Sequence, residues 1–203
     1  HLAKEAGLRL GIRGSIAVNE RMETSVPDIY AVGDAVEVTH FVTDQKTLIS
    51  LAEPANKQGR IAADNICGGN SRFHGSQGSS VLKLFGLTAA STGINEKAAQ
   101  AAGITYDKVV LFPASHATYY PGAQSMAMKV LYEKESLRLL GAQIVGGDGV
   151  DKRIDVLATA IRAKMTALEL TELDLSYAPP YSSAKDPVNM AGFMIEDLES
   201  EKV

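Results

Sequence analysis

With 203 residues, 45% hydrophobic and 22% charged, the chain has room for one large or two small domains of ordinary globular composition. A net charge of -4 with no Lys/Arg block excludes nucleic acid or an anionic membrane surface as the main partner. No apolar run reaches the roughly 20 residues of a membrane span, no signal segment opens the chain, and the single cysteine, Cys67, rules out an internal disulfide framework and points to a reducing compartment, the cytoplasm.

HLAKEAGLRLG opens without Met or cap and reads as a helix entered part-way, with Leu2, Ala6 and Leu10 at helical spacing, so the chain looks like a fragment. IRGSIAVNERMETS alternates Ile16, Val18 and Met22 with polar neighbours, as an exposed hairpin does. DIYAVGD reads as a short buried strand stopped by Gly33-Asp34, which delivers one carboxylate to the end where ligands of α/β domains sit. LISLAEPANKQGRIAADNICGG is a helix with Pro54 in its first turn, an apolar face of Ile61, Ala62 and Ile66, and a stop at Gly68-Gly69. The Gly- and Ser-rich GGNSRFHGSQGSS marks a domain boundary.

Beyond it, SVLKLFGLTAAST and YDKVVLFPASH read as strands, separated by a helix from Asn95-Glu96 to Gly103. Met126 to Tyr132 and Leu139 to Val145 form a hairpin, and GVDKRIDVLATAIRAKM is an amphipathic helix with Ile154, Leu157 and Ile161 on one face. TALELTELD starts a short helix whose Thr166 and Glu169 make a capping box. Strands followed by helices imply an α+β domain built on an antiparallel sheet.

A carboxylate at a strand end can accept hydrogen bonds from sugar or polyol hydroxyls, and the N-terminal amides of the following helix can face a polarised carbonyl or an anion. Asp34 capping the next turn explains the same residues, and the stretch alone leaves both readings open. Cys67, late in its helix, reads as a packing residue. His40, His74 and His116 show no metal-ligand spacing, so no metal site is expected. DKRID reads as a solvated ion-pair cluster, with Asp151 suiting a helix start. The methionines Met126, Met128, Met165, Met190 and Met194 fill core and interface gaps.

TSVPDIYAVGDAVE, taken with LAEPANKQGRIAADNICGG, resembles the second FAD-binding motif of the two-dinucleotide-fold flavoprotein disulfide reductases. The resemblance implies that Gly33 and Asp34 meet the ribityl-phosphate region of FAD and that Leu51 and Ala52 present amides to the flavin ring. YYPGA (119–123), GAQIVGGDGVDKRIDVLATAI (141–161) and YAPPYSSAKDPVNMAG (177–192) are similar to the dimerisation domain of coenzyme A disulfide reductases and the related NADH oxidases and persulfide reductases. By that resemblance Tyr177 reaches the flavin and sulfur site of the opposite subunit, Tyr119 is its companion, and Lys185 and Asn56 contact coenzyme A. The family's redox-active cysteine, its GxGxxG fold for the ADP half of FAD and its NAD(P)H domain have no counterpart in the sequence; GLRLGIRG and GGDGVDKR lack the strand-turn-helix setting.

The fold expected is therefore α+β, an antiparallel-sheet dimerisation domain with flanking helices preceded by the C-terminal piece of an α/β FAD-binding domain. Its parts are residues 1–70 of the FAD domain, a linker at 71–79, the dimerisation domain at 80–195 and a charged tail at 196–203 suited to a linker. The resemblance implies the C-terminal portion of an FAD-dependent enzyme that uses NAD(P)H to reduce coenzyme A disulfide or persulfide. The alternatives are an NADH oxidase passing electrons to oxygen or, for these residues alone, a non-catalytic dimerisation module with little or no FAD. A homodimer is expected, because Ile144, Val145, Ile154, Leu157 and Ile161 compete for one sheet face and one helix stripe.

Overall fold

The computed structural model describes residues 1–201 and separates at Gly78 into two units. In the first, helix α1 (Leu2–Glu5) is a single turn with no buried residue, much shorter than the helical spacing of HLAKEAGLRLG predicts. Val18 and Met22 lie in the core with Val36, Val38, Ala62 and Phe73, so the alternating stretch is no exposed hairpin. Isolated bridges, Leu10 to Ile16 and Ile16 to Val36, hold it in place of a regular ladder. DIYAVGD also departs from the expected buried strand. The Ile29 amide donates to Val26 O and the Ile29 carbonyl accepts from Thr24, so a local turn consumes the groups a ladder would need. Only Tyr30 pairs, with Glu23, while Ile29 and Val32 are exposed. Strands β1 (Val38–Thr39) and β2 (Lys46–Thr47) form a two-residue ladder.

Helix α2 (Ala52–Ile66) buries Pro54, Gln58, Ala62 and Asn65, whereas Ile66 and Cys67 are exposed. Two of those buried side chains are amides that hold loops. Asn65 Nδ2 donates to Arg21 O (3.0 Å) and Ser71 O (2.9 Å), and its Oδ1 accepts from the Ser71 amide at 2.9 Å. The amide pair occupies the stripe where the apolar pattern alone places Ile66.

The second unit is a five-stranded antiparallel sheet in the order β3-β4-β7-β6-β5. SVLKLFGLTAAST is two strands, β3 (Ser80–Leu84) and β4 (Leu87–Gly93), joined at Phe85-Gly86 with Phe85 at φ 53°. Helix α3 (Glu96–Ala101) follows, capped by Asn95 Oδ1 accepting from the Ala98 amide at 2.9 Å. Strands β5 (Tyr106–Leu111), β6 (Ala127–Glu133) and β7 (Leu139–Gly146) complete the sheet, and α4 (Val150–Arg162) packs on β7 and β4. The capping box forms as predicted, with the Thr166 hydroxyl donating to Glu169 Oε2 at 2.9 Å, but the turn it opens, Leu168–Glu172, is 3-10. Helix α5 (Pro187–Ser200) occupies most of the expected charged tail and packs against that turn. Asp186 accepts from the Val188 amide at 3.0 Å and Pro187 opens the helix. Lys202 and Val203, the end of that tail, lie outside the described residues.

Ile144, Ile154, Leu157 and Ile161 are all buried within the single chain, so they are not the uncovered surface expected from their number; Val145 alone of that group is exposed. The exposed apolar residues cluster instead on the β3–β4 hairpin, at Val81, Leu82, Leu84, Leu87 and Phe85, the last 94% accessible.

Glu96, at the start of α3, pairs with Lys108 on β5 and with Lys129 on β6 (2.9 Å). These ammonium groups hold its carboxyl at about 2, well below the usual carboxylate range. A depressed folded value means that the contribution is present above the unfolded value and is lost as pH falls through the folded one. Thermal melts of the wild type and Glu96→Gln are expected to differ at pH 7 and to converge as pH is lowered from about 4.5 towards 2.

Candidate functional site

In the first unit, Val32 leads into a 3-10 turn at Gly33–Ala35 in which Gly33 has φ 76°, a conformation that favours glycine. The Gly33 amide donates to Oε1 of buried Gln58 at 2.7 Å, which pins the turn on α2. Asp34 is exposed, and among the described residues its carboxylate takes no hydrogen bond and no ion pair, so it does not cap the turn. Leu51, the N-cap of α2, provides no side-chain cap, and the first-turn amide of exposed Ala52 begins the helix. Asn56 is exposed one turn further along. An uncommitted carboxylate and an uncapped helix start fit a polyhydroxylated chain that carries a polarised ring.

In the second unit the structure brings Tyr119 and Tyr177 together across 58 positions of sequence, with hydroxyl oxygens 3.1 Å apart. Both rings are open to solvent, 76% and 46% accessible. The hydrogen bond with Tyr119, and secondarily burial, raises the Tyr177 phenol above its ordinary value, so it stays protonated through the physiological range. Lys185 is exposed at the end of the same loop as Tyr177, its ammonium 4.7 Å from the centre of the Phe193 ring. It borders an open groove of about 380 Å³ lined by Phe112, Pro113, Met190, Phe193, Met194 and Asp197.

One residue of this region overturns its sequence reading. In the DKRID cluster Asp151 and Asp155 are exposed as a solvated face requires, but Arg153 is 1% accessible. Its Nη2 donates to Ser115 O (3.0 Å), Tyr181 O (3.2 Å), Ser182 Oγ (3.2 Å) and Asp186 Oδ2 (3.1 Å), and Nη1 donates to Gly149 O (3.1 Å). The signal was present: position 153 lies on the same helical stripe as Val150, Leu157 and Ala160, all buried. Among the described residues no group of His, Cys, Asp or Glu could hold a metal ion, and no helix is long and apolar enough to cross a membrane.

Residues 80–187, more than half of the chain, match the dimerisation domain of the pyridine nucleotide-disulphide oxidoreductases. The chain belongs to that family. Residues 1–59 match a second model, described as pyridine nucleotide-disulphide oxidoreductase. Within the family, the chain is 38% identical over 196 residues to the coenzyme A disulfide reductase of Staphylococcus haemolyticus, covering 96% of this chain and 44% of that protein. Reduced Bacillus anthracis CoADR-RHD superposes with a TM-score of 0.95 at 54% identity, over 100% of this chain and 36% of that one. The NAD-dependent persulfide reductase from A. fulgidus does so with a TM-score of 0.96 at 46% identity, over 98% and 37%. The chain thus spans less than half the length of each of these oxidoreductases.

Proposed function

We propose that the chain forms part of an FAD-dependent oxidoreductase that uses NAD(P)H to reduce a disulfide or persulfide of coenzyme A. The observation that carries this reading is the Tyr119–Tyr177 hydroxyl pair, 3.1 Å apart, formed by two of the three stretches that resemble the dimerisation domain of coenzyme A disulfide reductases. In a hydroxyl pair one phenol donates to the other, which leaves one O–H free to donate a hydrogen bond, strengthened by the pairing, to a thiolate as it leaves a disulfide. They act as assisting groups; the redox cysteine of this reading is not in the sequence, and Cys67, exposed at the end of α2, is assigned no part. Tyr177 and Tyr119 are proposed to complete the flavin and sulfur site of a second copy.

When bound, FAD supplies the two-electron chemistry between nicotinamide and sulfur. Asp34 would accept hydrogen bonds from ribityl hydroxyls, Gly33 would let the turn lie close to the chain, and the Leu51 and Ala52 backbone would face the ring. Lys185 and Asn56 would hold the polar parts of coenzyme A, with the apolar groove beside Lys185 available to its arm. The 203 residues contain neither a GxGxxG turn nor that cysteine, so turnover and firm FAD retention are expected only of the longer protein. The lone cysteine in the sequence supports a reducing compartment, the cytoplasm.

In the FAD-loaded protein, Asp34→Ala is expected to weaken flavin retention by about 1.5–3 kcal/mol, the worth of hydrogen bonds to a charged acceptor. Flavin absorbance that survives gel filtration at the wild-type ratio would remove Asp34 from the site. Tyr177→Phe is expected to slow coenzyme A disulfide reduction about 10- to 100-fold, as one lost charge-assisted hydrogen bond does. Tyr119→Phe should slow it similarly, and the double variant should be little slower than either, because the hydroxyls act as a unit. Unchanged reduction of the disulfide, alongside rapid NADH-driven consumption of oxygen, would favour the oxidase instead. Finally, light scattering is expected to give twice the 21.6 kDa chain mass; a single-chain mass at micromolar concentration would sink the homodimer.

A further inference from the structure

We propose that Arg153 is the positioning residue of the tyrosine pair, a buried clamp that sets the distance between the loop bearing Tyr119 and the loop bearing Tyr177. Each loop is gripped by the same guanidinium. Ser115 O belongs to the segment that leads to Tyr119, while Tyr181 O, Ser182 Oγ and Asp186 Oδ2 belong to the segment that follows Tyr177. A direct bond, from the Ala117 amide to Ser182 O at 2.9 Å, closes the two loops on each other beside the clamp. Neighbouring Lys152 donates to Ser176 O at 3.3 Å, which fixes the residue before Tyr177 from the same helix. The planar fork matters because both loops meet at one nitrogen, Nη2, while Nη1 ties the guanidinium to Gly149 O and so fixes the orientation in which Nη2 faces them; an ammonium has no second nitrogen to anchor. Gly149 is shaped to it as well: it has φ 81°, and a Cβ there would overlap Arg153 Nη1. The tyrosines make the hydrogen bond that the chemistry uses, and Arg153 acts only through them. Its effect on turnover rests on the reading proposed above; its effect on the tyrosine geometry does not.

The test places 3-fluorotyrosine at position 177 and reads its fluorine chemical shift, with Tyr119→Phe giving the shift of the broken pair. Arg153→Lys, which keeps the charge and loses the fork, is expected to move the resonance most of the way to that position, and adding Tyr119→Phe should move it little further. A folded Arg153→Lys protein with a wild-type resonance overturns the proposal. Should Arg153→Lys fail to fold, Ser182→Ala decides, since it keeps both buried charges: a shift toward the broken-pair position supports the clamp and none overturns it. Coenzyme A disulfide turnover is measured in parallel on the same variants of the longer, FAD-loaded protein, with a fall in kcat and little change in KM expected in the shifted variants. If the fluorine shifts appear while no protein reduces the disulfide, the functional reading fails and the clamp stands. Turnover in every variant with an unmoved resonance would overturn the clamp and leave that reading intact.

Discussion

A guanidinium and a carboxylate taken out of water together lose several kcal/mol of hydration each, and their mutual attraction recovers this only when further hydrogen bonds complete the geometry. Arg153 and Asp186 meet that condition through Ser115, Gly149, Tyr181 and Ser182, although Arg153 Nε is left without a partner. Such a pair adds little stability over a well-packed apolar substitute, yet removal of one partner costs about 3–5 kcal/mol because a buried charge is stranded. The interaction therefore dictates arrangement more than it adds cohesion. Asp186 also caps α5, so the pair determines where that helix begins and where the loop before it must end.

Between those fixed points the loop has few freedoms left. Pro179 and Pro180 hold their φ angles and offer no amide, and the Tyr181 amide returns to Ala178 O at 2.9 Å. On the opposite side, buried His116 lies within hydrogen-bond distance of Ser115 Oγ (3.1 Å) and Pro121 O (3.3 Å), with its ring edge-on to Tyr120. Stiff supports on both sides allow two solvent-exposed phenols to share a hydrogen bond that side-chain entropy would otherwise dissolve. Preorganisation here comes from beneath the site.

The pattern of what the sequence revealed follows from this. Helix α4, the β6–β7 hairpin and the start of α3 at Asn95-Glu96 were legible because apolar periodicity and helix-start chemistry are local. The β3–β4 hairpin was hidden by a Phe-Gly turn that lacks the usual Asn or Asp, and DIYAVGD by a turn whose bonds displace its ladder. Helix α5 was missed although Asp186-Pro187 is a cap and first-turn signal; the charges of its last turns concealed its buried face of Val188, Ala191 and Ile195. The candidate residues Asp34, Tyr119, Tyr177 and Lys185 stood out through motif resemblance, whereas Arg153 did not, because a charge on a helix is ordinarily solvated.

The two units use the same device at different sites. Gln58 and Asn65 on α2 and Arg153 on α4 each occupy a buried stripe where an apolar residue would pack more simply, and each holds loop backbone. Hydrophobic contact is non-directional and cannot orient a carbonyl or an amide, whereas a buried donor or acceptor left unmatched is costly enough to select one loop geometry. Polar anchors of this kind therefore appear where a loop has to present something. The Gly33-Asp34 turn and the Tyr177 loop are both held in this way, and the groups they present are themselves exposed. Function and stability are thus separated by depth: an exposed hydroxyl or carboxylate can be removed with small effect on the fold, while the anchor beneath it cannot. A loss of activity on changing an anchor is consequently informative only when the geometry of the presented group is read directly.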